Sequence, residues 1–189
     1  MKRYIFAIAV WLIVGCGTTL EPMKYYTLST TAPSKHSIKY PKTLQISMPR
    51  FLRRQNSTKI YYSYSLNETN AYLNSSWSDN LSKMLYATVY EYIDSLGIYK
   101  NIVGYDSSVY GDVSLDMTVY DISHHLQNHS SKAILDIKVS LIDNQTQHII
   151  KSKRFRYEQS TKSVDAKGFV DAENVLVGRF LRDLARFLG

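Results

Sequence analysis

Cysteine is all but absent. The 189 residues hold one, Cys16, so no disulfide can form within the chain and no Cys-rich metal knot can be built. Four prolines and eight glycines exclude a collagen-like or low-complexity chain. The glycines are scattered and form neither a GxGxxG turn nor a Walker loop, so a nucleotide-phosphate cradle is not expected. No HExxH pair occurs; the one histidine cluster is His124, His125 and His129, and neighbours on a strand point to opposite faces. By the same parity rule Asp112, Asp116 and Asp121 are not expected to share a strand face, so no carboxylate pair for hydrolysis is in view. The chain is therefore expected to be no enzyme and to need neither cofactor nor metal.

What is present is 44% hydrophobic and 13% aromatic residues, enough for a packed core and too much for wholesale disorder. At the N-terminus Lys2 and Arg3 precede an uninterrupted apolar stretch, 4–14. Spanning a bilayer takes about 20 apolar residues, so this stretch is too short for a permanent transmembrane helix and reads as the core of an export signal. It ends in Ile13-Val14-Gly15-Cys16, which resembles the bacterial lipobox. Residues 1–15 are then expected to be a signal peptide, 16–24 a tether lipidated at Cys16, and 25–189 a single domain. Gly17 stands where an aspartate would favour inner-membrane retention, so the expected site is the outer membrane, with the domain facing the periplasm. Loss of Lys2 and Arg3 leaves 21 basic against 16 acidic residues. That mild positive balance suits anionic headgroups or an acidic partner, while export and the lack of any recognition motif set nucleic acid aside.

Periodicity outlines the domain. Strands are expected at 25–29, at Leu44, Ile46 and Met48, at 60–65 and briefly at 72–73 and 102–103. Trp77, Leu81, Met84, Leu85, Val89, Tyr92, Ile93 and Leu96 recur at helical spacing, predicting an amphipathic helix over 77–96 that opens with a Ser76–Asp79 capping box and stops at Gly97. Alternation over 113–124 and 133–143, and a further strand over 148–157, predict an antiparallel meander with one buried face. Phe169, Leu176, Val177, Phe180, Leu181, Leu184 and Leu188 form a second helical stripe running from about Val170 to the C-terminus. The expected fold class is α/β: one domain with a mixed, mostly antiparallel sheet of five or more strands and two main helices. Trp77 is expected in the core.

Two basic stretches remain. Lys151 and Lys153 share a strand face with Phe155 and Tyr157 while Arg154 and Arg156 point the other way, which reads as solvated edge charge. Arg50, Phe51, Leu52, Arg53 and Arg54 follow a strand and Pro49, and are expected in an exposed turn, with Phe51 and Leu52 as anchors and the arginines as a rim for a partner or a lipid.

Cys16, the early Tyr25-Tyr26-Thr27-Leu28, Met48-Pro49-Arg50-Phe51-Leu52 and Trp77 ahead of Leu81 and Leu85 fall in an order that resembles the ABC-type transport auxiliary lipoprotein family, which includes the Pqi-type lipoprotein. The usual Asp after the Leu, and a later Pro, are replaced here by Arg53, Arg54 and Gln55. The resemblance implies a fold similar to the N-terminal domain of the Tol system's periplasmic protein. It also implies a docking role beside ABC transporter components or MCE-domain proteins that move phospholipids between the membranes. Direct phospholipid contact and self-association are left open by it. A second expectation is an outer-membrane lipoprotein that serves as an assembly or cell-wall synthesis cofactor.

Overall fold

The computed structural model describes residues 21–31, 38–53, 55–65, 68–128 and 130–189. Cys16, Arg54 and His129, singled out above, lie outside them. One long strand organises the domain: β7 (Val113–Gln127). Along one edge it takes three short parallel strands end to end: β2 (Tyr40–Ile46), β3 (Arg50–Phe51) and β4 (Lys59–Ser63). Along the other edge it pairs antiparallel with β8 (Ser130–Asp143), which in turn pairs with β9 (Ile149–Ser160). The expected meander is therefore present, with strands longer than the alternation alone marked. β5 (Asn70–Trp77) joins β4 and carries β1 (Lys24–Tyr26) on its far side, while β6 (Tyr99–Val103) lies beside β2. The result is a mixed nine-stranded sheet.

Two helices complete the fold: α1 (Leu81–Leu96) and α2 (Ala166–Leu188). Their apolar stripes join Leu115, Val119, Leu135, Ile137 and Phe155 of the sheet in one hydrophobic cluster, so both helices serve a single core on one face of the sheet. Among the described residues no helix is long and apolar enough to cross a membrane.

Helix α1 starts four residues later than expected. Trp77 ends β5 instead, in register with Tyr26 of β1, and its ring is buried edge-on against Phe169 of α2, 6.0 Å between centroids. Trp77 keeps helical phase with Leu81, but Ser78, Asp79 and Asn80 favour a turn and break the chain there. No capping box forms: Asp79 accepts from the Asn80 N–H at 2.7 Å, and the free Ser82 N–H is met from outside the helix by Asn56 Oδ1 at 3.0 Å. Gly97 ends α1 as expected, in the left-handed region at φ 66°. α2 begins at an Asp165 cap, whose carboxylate accepts from the Gly168 N–H at 2.7 Å and is held below its usual pKa chiefly by that bond.

Candidate functional site

With the helices on one face, the other face of the sheet is open. A bulge decides which residues it presents. In β7 the pairs Val119↔Ile137 and Asp121↔Asp136 are adjacent steps of the ladder with β8, so Tyr120 is an extra residue and the in–out phase slips by one. Before the slip Val113, Leu115, Met117 and Val119 point into the core; after it Ile122 and His124 do. Asp116 and Asp121, five residues apart, therefore share the open face, contrary to the simple parity expectation. Asp116 is bound to Ser47 Oγ at 2.6 Å, and no acid–base pair results.

The strands beyond the bulge, together with Leu52, Arg53, Gln55 and the end of β4, line an open groove of about 890 Å³. Its charges are arranged in pairs. Arg154 Nε and an η nitrogen donate to the two oxygens of Asp136 at 2.7 and 2.8 Å, and the guanidinium stacks 3.9 Å from the centre of the Tyr120 ring. Arg53 lies 3.6 Å from Asp121, and Gln55 binds that same carboxylate at 2.8 Å while accepting from the Ile122 N–H at 3.1 Å. Lys132 and Arg156 converge on Glu158 at 2.8 and 3.5 Å. Three of the four acids that line the groove sit against cations, while Glu68 accepts from Asn70 instead, so most of the groove's charge is locally balanced. Leu52 and Tyr64, both exposed, add apolar surface at its margin.

Among the described groove residues one hydroxyl stands near an imidazole. Ser63 Oγ stands 3.4 Å from His125 Nδ1, too long for firm activation of a hydroxyl, and no carboxylate binds that imidazole among the described residues. Ser123 lines the groove with its hydroxyl buried and without a partner. The two histidines part as strand parity requires: His125 faces the groove and His124 the core. There His124 stacks on Phe169 at 5.0 Å and meets Tyr72 OH at 2.9 Å, and burial pulls its pKa down to about 4, so it is neutral at pH 7. Among the described residues no three His, Cys, Asp or Glu side chains are grouped to hold a metal ion.

Residues 50–53 are not the free turn the sequence suggested. Arg50 and Phe51 form β3, paired with Thr118 and Val119, and the Leu52 N–H donates to the Val119 carbonyl at 3.0 Å. β2 stops at Ile46, three residues before Pro49, and the open edge of β7 captures the two residues after the proline. Phe51 is consequently half-buried and packs on the core, leaving Arg50, Leu52 and Arg53 as the exposed members. The second basic stretch divides as expected: Phe155 is in the core, with Lys153 over its ring at 4.9 Å, and Arg154 and Arg156 are in the groove. Sequence reading missed the Asp136–Arg154 pair, although the two residues occupy the polar faces of consecutive meander strands.

The sequence model of the ABC-type transport auxiliary lipoprotein component family matches residues 26–185. The chain belongs to that family. Its fold is similar to that of protein XCC0632 from Xanthomonas campestris, which is 16% identical, with a TM-score of 0.75 over 85% of this chain and 91% of that one. A second solved structure, of an uncharacterized protein, is 16% identical with a TM-score of 0.67, covering 89% of this chain and all of the other. No curated protein matches the chain in sequence. The family is thus one of auxiliary lipoproteins, described by its part in ABC-type transport and by no catalytic activity.

Proposed function

We propose that this family member is anchored in the outer membrane by acyl chains on Cys16, faces the periplasm, and serves an ABC or MCE-type system that moves phospholipids between the two membranes. It acts by docking. The observation that carries this reading is the groove on the open sheet face: large, amphipathic, mostly charge-paired and without a close nucleophile–base pair or metal cluster among the described residues. Such a surface suits a protein partner, whose own charges can exchange with the pairs already present and whose apolar groups can meet Leu52 and Tyr64. An MCE-domain protein is the partner proposed.

The experiment is capture of the MCE protein and transporter components from solubilised membranes by the wild-type chain and by a variant carrying Arg50→Glu, Arg53→Glu and Arg54→Glu. Weaker capture by the variant is expected, since exposed charges act mainly on association. Labelled palmitate on the wild type, and none on Cys16→Ser, checks the anchor in the same cells. Equal recovery of the partner by a folded, acylated triple variant would remove this segment from the docking surface.

A further inference from the structure

The groove leaves unexplained a second surface, at the corner where the chain enters the fold. Four apolar side chains stand in water there: Leu73 is 87% exposed, Tyr25 70%, Val164 47% and Met23 46%. Their proximity follows from the ladder. β1 is parallel to β5, with Lys24↔Ser75 and Tyr25↔Ser76, so Met23 runs beside Asn74 and Leu73. Between β4 and β5 the register jumps from Lys59↔Ser76 to Tyr61↔Ala71, which spends three extra residues on the β5 side and pushes Leu73 and Asn74 out of the ladder. The carbonyl of Val164 accepts from the hydroxyl of Tyr72 at 3.3 Å, which ties the turn ahead of α2 to β5.

The charge around this corner is mostly positive. Lys59, Ser76 and Tyr25 form one row across β4, β5 and β1, and Lys24 precedes Tyr25. Lys162 and Lys167 flank Val164 in sequence. Among the described residues Lys24, Lys59 and Lys162 make no ion pair, while Lys167 is paired with Asp171 at 2.6 Å. Of the nearby acids, Asp165 is engaged in capping α2 and Glu21 is exposed. Exposed aliphatic and aromatic groups set among unpaired lysines match the boundary between anionic headgroups and acyl chains.

Chain length selects the occupant. Cys16 lies eight residues before Lys24, the first residue of β1, so even a fully extended tether spans at most about 28 Å. We infer that this corner, Met23, Tyr25, Leu73 and Val164 with Lys24, Lys59 and Lys162, rests on the anionic surface of the membrane that holds the acyl anchor, fixing the domain's orientation there. The inference rests on the proposal that Cys16 is acylated, and the test keeps the two apart.

With Cys16 blocked by acylation, a Leu73→Cys substitution supplies the sole free thiol of the full-length chain. A polarity-sensitive fluorophore attached there, in chain reconstituted into vesicles of phosphatidylethanolamine and phosphatidylglycerol, should shift to the blue and lose access to aqueous iodide. The same label at Tyr110→Cys should stay open, since Tyr110 follows β6 at the opposite end of the strand path from β1. Replacing Lys24, Lys59 and Lys162 by Glu should return the Leu73→Cys label to water. The mass of the isolated chain reports acylation independently. An acylated chain whose label remains open to iodide overturns the docked corner and leaves the anchor standing. Protection that appears only when transporter proteins are added overturns it in favour of a protein contact. An unacylated chain overturns the anchor, and with it this inference.

Discussion

Glu173 offers the sharpest test of how this core is built. It lies on the buried side of α2, has no solvent exposure, and neither carboxyl oxygen has a hydrogen-bond partner. Burial first, and the charge of Asp121 second, push its pKa well above the usual carboxylate range. The group is then protonated in the folded chain and carries unmade hydrogen bonds, a cost of about 1–3 kcal/mol. Methionine has nearly the same length and asks for no bond, so Glu173→Met should stabilise the domain by about that amount at the acid end, near pH 4, and by more near pH 7. The gain should depend on pH. Above the unfolded value of 4.5 the unfolded chain releases this proton while the folded chain keeps it, so the wild type loses stability as pH rises toward the folded pKa. The slope is up to about 1.4 kcal/mol per pH unit. Urea melts of both chains at several pH values between about 4 and 8 should therefore show a difference that is smallest at the acid end and widens upward. A difference independent of pH would mean that Glu173 is ionised in the fold. A destabilised variant would mean that the carboxyl has a partner, and either result refutes the reasoning.

Two further predictions concern stability. Trp77→Ala empties a fully packed aromatic site against Phe169 and should cost about 3–5 kcal/mol in denaturant melts; an unchanged midpoint would contradict its place in the core. Arg154→Ala strands Asp136, whose side chain is only 5% exposed, and should cost about 1–3 kcal/mol, with part of the loss recovered in the Arg154→Ala, Asp136→Ala double variant. Simple additivity of the two single changes would show that the pair is not coupled.

Much of the fold was legible because its signals are local. The period-2 runs of β7 and β8, the helical stripes of α1 and α2, and Gly97 at the end of α1 all declare themselves within a few residues. What was not legible depends on partners distant in sequence. Trp77 satisfies the phase of α1 and is drawn into β5 by pairing with Tyr26. Arg50 and Phe51 carry no strand signal longer than two residues and become β3 only because β7 offers an edge between β2 and β4. The cap of α1 comes from Asn56, twenty-six residues before the amide it binds. The groove is of the same kind, since Arg53, Asp121, Asp136 and Arg154 meet through three separate elements and the chain after β3.

The bulge at Tyr120 is the feature that ties fold to site, and its trace is present in the sequence. Val113, Leu115, Met117 and Val119 keep one phase; the next apolar residue facing inward is Ile122, three positions on instead of two. The same sequence paired without the bulge would turn His124 out of its stack on Phe169 and drive Asp121, Ser123 and His125 into the core at a desolvation cost. The slip instead keeps Ile122 and His124 inside and presents Asp121 to Arg53 and Gln55. It also leaves Tyr120 beneath the guanidinium of Arg154. One residue inserted in β7 thus lets a single long strand serve the core along its whole length while changing which of its side chains the open face displays, and that change supplies the groove's floor.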